Sequence, residues 1–421
     1  MMGGSNGVAS MMKLLFVHQK LGEFGGAEAN IRLSAGELRA RGYEVGLMYA
    51  ESTDRDEALW RQTFSECFYV PGSADAEGVR SVLRRFGPDV IYLHHVSDLT
   101  TLETLLESGI PAVRMVHDHA LYCMRGYKYN YLTRRICTRP LSPFCLFPCL
   151  ASIGRNSSGG FPLKWVSYAD KKREIALNQR CQRFVVYSEY LKKELVRNGF
   201  EAARIDVCVP LWLDSDSVPA SSFGPRNLIL FAGQLIRGKG VDVLLHALSK
   251  VKTHFECEIF GDGSHRRYCE QLCSRLGLRQ RVHFRGYVLP AELVKYYSEA
   301  SVFVMGSLWP EPFGMAGPEA MRHHLPVVAF DAGGIREWLT DGENGYLIPW
   351  KNTQLFAARL EQLLRDKDLA RRLGRRAFET VQHYDCGRQI DHLEQIFHGV
   401  VQLNDSASVA GKFLPQPSAC L

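Results

Sequence analysis

The stretch FAGQLIRGKGVDVLL, residues 231–245, joins three signals in one place. An apolar run suited to a buried strand ends at Gly233, a short loop holds Gln234, Arg237, Gly238, Lys239 and Gly240, and an amphipathic helix is expected from Val241. Glycines let the backbone approach an anion closely, and a helix N-terminus presents amides and partial positive charge to it. Arg237 and Lys239 flank that position with two cations, so the segment reads as a phosphate site. A tight turn with incidental surface cations is the plainer alternative. Gly233 to Lys239 also satisfies G-x-x-x-x-G-K, but Gly240 stands where a magnesium-binding hydroxyl is required, which argues against an NTPase.

Working outward, short runs of Val, Ile, Leu and Phe alternate with amphipathic segments through CEIFG (257–261), VHFRG (282–286), SVFVMG (301–306) and LPVVAF (325–330). The same rhythm precedes the punctuation SSFGPR (221–226). It runs through KLLFV (13–17), a helix from about Ala27 to Arg41, YEVGLMY (43–49), DVIYLH (89–94), AVRMVH (112–117), RFVVYS (183–188) and IDVCVP (205–210). This alternation predicts parallel sheets with crossover helices, hence an α/β fold of two similar domains, 13–222 and 223–382. Helical patterns beyond Thr353, interrupted at Tyr384 and Gly387, make 383–403 a helical segment. Residues 1–12 and 404–421 are expected to be flexible and disordered, respectively.

A second candidate constellation is WPEPFGMAGPEAM (309–321), where Glu311 and Glu319 are eight residues apart around a Pro/Gly loop. If the loop enters a helix, Glu319 falls about 80° past two turns from Glu311 and both carboxylates share a side. Amides at Gly314, Met315 and Ala316 would then hold a diphosphate between them. An acidic preference at a helix start accounts for one Glu, but not for the loop before it.

These motifs, in order, resemble glycosyltransferase family 4. The similar segments are FAGQLIRGKGVDVLL, IFGDGS, VHFRGYV, ELVKYYSEASVFVMGS, EPFGMAGPEA and LPVVAFDAGGIREWLTDGENGYLIP. In the first half they are KLLFVHQKLGEFGGAE, DVIYLHH, VRMVHDH, VVYSEYLKKELVRNGF and VCVPLWLD. The resemblance implies the GT-B fold, two Rossmann-like domains facing across a cleft, with the C-terminal helices packing back on the first domain. It implies Glu319 on the ribose, Glu311 on the donor sugar, and Arg237 and Lys239 on the diphosphate. Gly233, Gln234, Phe313, Gly314, Met315 and Ala316 would also contact the donor. Tyr287 and Val288 would meet the base, Gly25 and Gly26 would lie across the cleft, and His117 would be a positioning group near the sugar. One departure is Gln234, which stands where the family usually has Arg.

The implied activity is retaining transfer of a hexose from a UDP- or GDP-linked donor to a saccharide or lipid-linked acceptor, in cell-surface polysaccharide or glycolipid synthesis, with no cofactor needed for catalysis. A nucleotide-sugar epimerase of the same fold and an inert sugar-nucleotide-binding protein are the alternatives.

The chain holds 51 Lys and Arg against 45 Asp and Glu, a net +6 too small for a dedicated nucleic-acid binder, and no nucleic-acid partner is expected. The charge is concentrated: residues 123–197 carry fifteen basic and four acidic residues, +11, leaving −5 elsewhere. Such a patch faces phosphate or an anionic membrane, or is a solvated surface. Without a signal peptide or spanning segment in the sequence, a cytoplasmic location, peripheral at the inner face of the cell membrane, is expected. Cys123, Cys137, Cys145 and Cys149 fall in one loop-like insertion, about 123–149, and are candidates for a structural zinc site, reduced thiols or disulfides.

Overall fold

The computed structural model describes residues 11–22, 25–53, 55–71, 75–130, 132–155, 163–210, 218–384 and 386–411. The chain's first ten residues and its last ten lie outside them.

Two parallel sheets form from the predicted runs. In the first, β1 (Lys13–Val17), β2 (Glu44–Tyr49), β3 (Glu66–Tyr69), β4 (Val90–Leu93), β5 (Ala112–Val116), β6 (Arg183–Val186) and β7 (Ile205–Val207) take the order β7-β6-β5-β4-β1-β2-β3. In the second, β8 (Leu228–Ala232), β9 (Glu256–Phe260), β10 (Val282–Gly286), β11 (Val302–Met305), β12 (Val327–Phe330) and β13 (Gly345–Ile348) take the order β10-β9-β8-β11-β12-β13. Leu14 pairs with Val45 on one side and Val90 on the other, and Ile229 with Cys257 and Val302. Chain order therefore reverses at β1 and at β8, and a crevice opens beyond the carboxyl ends of those strands, where ligands bind in such sheets. This is the expected pair of Rossmann-like domains.

The strands read as continuous apolar runs because helices cover both faces. Leu14, Leu15 and Phe16 are all fully buried, as are Ile229 and Leu230. Helix α1 (Gly26–Ala40) buries Ile31, Ala35 and Leu38, spaced by four and three residues, which is one helical stripe. Helix α2 (Val241–Leu248) leaves the phosphate loop, and α3 (Ala316–Arg322) follows the second constellation.

The last helix, α4 (Cys386–Gly411), turns back onto the first domain. Ile390, Leu393, Phe397 and Val400 are buried, and the Phe397 ring lies 5.1 Å from that of Tyr92. Arg41 reaches Asp391 at 2.5 Å and Glu394 at 2.7 Å. The expectation of disorder from residue 404 is corrected over its first eight residues: α4 continues to Gly411. Extending an existing helix adds one hydrogen bond per residue without a new nucleus, so a run without an apolar stripe can still extend it. Residues 412–421 lie outside the described part.

The insertion after β5 is tied to the first domain by a buried ion pair, Lys128 to Glu194 at 2.9 Å. It also touches the second domain, where Lys351 Nζ donates to the Arg134 carbonyl at 2.8 Å. No described helix is long and apolar enough to cross a membrane.

Candidate active site

The glycine loop 233–240 is held by close backbone contact rather than by side-chain packing. Gly240 has φ +64°, and a Cβ there would come 1.8 Å from the Gly306 carbonyl oxygen. Leu308 N donates to the Gly238 carbonyl at 2.7 Å, so the loop 233–240 and the loop after β11 form one unit. Gly233 likewise faces Gly261, whose Cβ would meet the Gly233 oxygen at 2.0 Å. Only glycine fits such contacts.

That unit brings Lys239 to Glu311. The ammonium donates to Oε1 at 2.8 Å and Oε2 at 3.0 Å. Ser307 Oγ and Trp309 Nε1 also donate to Oε1, the latter at 3.0 Å, and Lys239 lies 5.2 Å from the Trp309 ring centre. Glu311 is buried, which pushes its carboxyl up, but Lys239 and the two neutral donors outweigh burial and hold it below the usual carboxylate range. The result is an ionised carboxylate beside the glycine loop. Ser307 and Trp309 were not assigned in the sequence, although their positions four and two residues before Glu311 signalled a shared turn.

Glu319 differs. The reading that placed it two turns into a helix is corrected, because Gly314 sits at φ +87° and α3 starts only at Ala316, leaving Glu319 in its first turn. Burial pushes its carboxyl up to about 7, with Arg322 opposing. The fold thus favours the neutral form, and the associated stability is full below the ordinary carboxylate value and lost as pH rises through about 7. Accordingly, the melting temperature of Glu319→Gln relative to the parent should rise from about pH 5.5 to about pH 8. A pH-independent difference would contradict the burial effect.

Phe313 was read as a donor contact, but its ring is buried against Tyr384, with centroids 5.9 Å apart, and its carbonyl accepts from Trp338 Nε1 at 2.7 Å. It holds the loop from below. Gly314 and Met315 remain at the surface of that loop, and a Cβ on Gly26 would stand 3.7 Å from Met315 Cγ, so the Gly25-Gly26 start of α1 does face it across the cleft. Tyr287 is exposed just beyond β10, with Val288 half-buried beside it. Gln234 is exposed, while Arg237 is half-buried and close enough to Tyr129 of the insertion to lower its pKa somewhat against the dominant effect of burial.

His117 directly follows β5, at the carboxyl end where the sequence put it. It is buried, with Nδ1 2.7 Å from Tyr187 Oη and Nε2 3.0 Å from His94 Nδ1. Tyr187 Oη donates to Asn30 Oδ1, so a consistent chain runs from His94 through His117 and Tyr187 to Asn30. Both ring nitrogens are used within the protein, and burial holds His94 and His117 well below the usual histidine range, hence neutral. The histidine beside the second domain is His119, whose Nε2 donates to the Pro310 carbonyl at 2.9 Å. The second His of VHDH carried that signal. Ser188 Oγ makes the neighbouring cross-cleft bond, to the Pro312 carbonyl at 2.5 Å.

At the carboxyl ends of β4 and β5 lies a cavity of about 110 Å³, lined in part by His95, Arg114, His117, Asp118, Lys171 and Glu174. Arg114 is buried, and its Nε and Nη1 have no hydrogen-bond partner among the described residues. Sequence reading missed it, because Arg114 lies inside an apolar strand.

Cys123, Cys137, Cys145 and Cys149 are free thiols, and burial, with smaller effects of the other three sulphurs, raises the pKa of Cys145. Among the described residues no group of three or more His, Cys, Asp or Glu side chains is arranged to hold a metal ion. Three of the four approach the charged end of Lys128, which the spacing could not reveal.

Residues 24–210 match the sequence model of Glycosyltransferase Family 4 and residues 216–380 that of Glycosyl transferases group 1, together most of the chain. The chain belongs to glycosyltransferase family 4. Among its relatives are an uncharacterised glycosyltransferase of Methanocaldococcus jannaschii, 37% identical over 34% of this chain and 36% of that protein, and a phosphatidyl-myo-inositol mannosyltransferase of Mycobacterium leprae, 32% identical over 46% and 53%. The matched part thus spans about a third to a half of the length of these curated relatives. Among solved structures, Anabaena HepE in complex with UDP and glucose superposes with a TM-score of 0.71 over 92% of this chain and all of that one, at 20% identity. Sucrose-phosphate synthase of Thermosynechococcus elongatus gives 0.67 over 93%, at 17% identity. These structural likenesses establish the GT-B fold of this family 4 member.

Proposed function

We propose that this chain is a retaining hexosyltransferase that takes a sugar from a UDP- or GDP-linked donor and passes it to a saccharide or lipid-linked acceptor. The observation that carries the reading is the Lys239–Glu311 pair within the glycine loop. A bound diphosphate would take Lys239 as its counter-ion, releasing Glu311 oxygens to accept from hydroxyls of the donor sugar while Ser307 and Trp309 keep it oriented. Positive charge already fixed at the leaving diphosphate stabilises the charge that builds there, which is a large part of catalysis at such sites. Two structures of HepE, with UDP and glucose and with UDP-glucose, support a nucleotide-sugar donor by analogy.

The acceptor is assigned to the cavity beside Arg114. Its lining mixes cationic donors with the acceptors Asp118 and Glu174, which suits the alternating donor and acceptor hydroxyls of a sugar ring. Retention is proposed from the family resemblance, and neither Glu311, held by Lys239, Ser307 and Trp309, nor Glu319 is assigned as a covalent nucleophile. Attack then comes from the face of the leaving phosphate.

The test is transfer from a panel of UDP- and GDP-hexoses to saccharide and lipid-linked acceptors, with the product anomer read by NMR. A product with the donor's anomeric configuration is expected, and an inverted linkage would overturn retention. The positive charge at the leaving group is supplied by Lys239 and the loop, so the rate in excess chelator should match the untreated rate.

A further inference from the structure

Between Asp118 and Asp170 the chain has no acidic residue across 51 positions, yet it carries seven Lys and Arg. The same region displays apolar side chains. Of the seventeen large apolar residues exposed among the described residues, eight fall within 132–165, including Phe144, Phe147, Leu163 and Trp165. Phe147 is 78% exposed and Trp165 76%, the two highest values in that set. Scattered surface leucines need no explanation, but this concentration in less than a tenth of the chain does.

The display is built. Arg125 donates to the carbonyls of Cys149 at 2.7 Å and Leu150 at 3.0 Å, fixing the turn that carries Phe144 and Phe147. Beyond it a short antiparallel hairpin pairs Ile153 with Trp165, so these two exposed side chains share a face with Leu163, two residues along the strand. Val166 N bonds the Ser152 carbonyl at 2.8 Å at the base of the hairpin. Exposed Arg134, Arg135, Arg139 and Lys164 are interspersed with the apolar groups, and the Arg139 guanidinium covers the Phe144 ring at 4.0 Å.

Resting on the lipid-linked reading of the acceptor, we propose that the exposed side chains of residues 132–154 and 163–165 form a docking surface for an anionic lipid bilayer, with Phe147 and Trp165 entering the interface and the arginines and lysine meeting lipid phosphates. Aromatic side chains settle at headgroup depth, and each nearby cation adds attraction to acidic lipid. The absence of any carboxylate is what commits the surface to an anionic partner. Its position serves the reaction, because the same insertion reaches the donor site: the Tyr127 ring lies 6.2 Å from Trp309, whose indole holds Glu311. A bilayer under this surface would present lipid-anchored substrate near the cleft.

Co-flotation of the full chain with vesicles tests this, comparing phosphatidylcholine alone with phosphatidylcholine containing phosphatidylglycerol. Binding is expected only to the acidic vesicles. Phe147→Ser with Trp165→Ser should lower the partition constant by about tenfold or more, and brominated acyl chains should quench the parent's fluorescence more than that of Trp165→Phe. Affinity for UDP and for GDP, measured by calorimetry on every variant, should stay at the parent values, which also separates this inference from the transferase reading: a chain that ignores both nucleotides but floats with acidic vesicles refutes only the latter. Equal binding to neutral vesicles, no binding to acidic ones at low salt, or full binding by the double serine variant would overturn the proposal.

Discussion

Lys239→Met is expected to destabilise the folded chain by about 3 kcal/mol and to remove most of its affinity for a nucleoside diphosphate. The side chain of Glu311 is 3% exposed and that of Lys239 22%. Removing the ammonium therefore strands a buried carboxylate that keeps only the neutral donors Ser307 and Trp309, while removing the carboxylate leaves a cation that can still reach water. The asymmetry gives a sharper test than either single change. Lys239→Met combined with Glu311→Gln should recover most of the lost stability, since no uncompensated charge remains, yet transfer should stay at least about a hundredfold below the parent because both the counter-ion and the sugar contact are gone. Urea denaturation with parallel rate measurements decides it. A single variant as stable as the parent, or a double variant with parental turnover, would show that the pair does not do what its geometry implies.

Gly240→Ala should be nearly as damaging, for a steric reason. At φ +64° any side chain is strained, and this Cβ would lie 1.8 Å from the Gly306 carbonyl oxygen, a backbone atom that moves only if the loop moves. Strain of this kind costs about 1 to 3 kcal/mol, and relieving it separates the two loops that bring Lys239 to Glu311. Loss of UDP binding in calorimetry together with a lowered melting temperature is expected. Gly36→Ala is the control: nothing lies within 4 Å of its Cβ position in α1, so it should stabilise by about 0.5 to 1 kcal/mol. An unchanged UDP affinity in Gly240→Ala would mean that the loop contact is dispensable.

The resting Lys239–Glu311 contact also bears on mechanism. It keeps two buried or half-buried charges satisfied, and on the proposed reading donor binding would be an exchange of partners rather than the filling of a site with idle charges. Tight binding then requires the diphosphate to match what Glu311 gives up.

Much of this protein was legible in its sequence. Strand positions and the glycine loop at 233–240 followed from local periodicity and from residue types whose conformational demands are local: Gly where φ is positive, Val and Ile where both sheet faces are covered. The tertiary structure alone decided which polar groups meet. His117 and His119 are two residues apart on the same chain end, yet one is consumed by Tyr187 and His94 and the other reaches Pro310, because their contacts come from other strands and from the opposite domain. Arg114, passed over inside an apolar strand, lines a cavity. Phe313 turned inward because Tyr384, some seventy residues later, packs on it. Three of the four insertion cysteines come near Lys128, a neighbour that their spacing could not name. Sequence thus determined the elements and the chemistry on offer. Which side chains combined was fixed by contacts between residues far apart in the chain, whose geometry exists only once the sheets are formed.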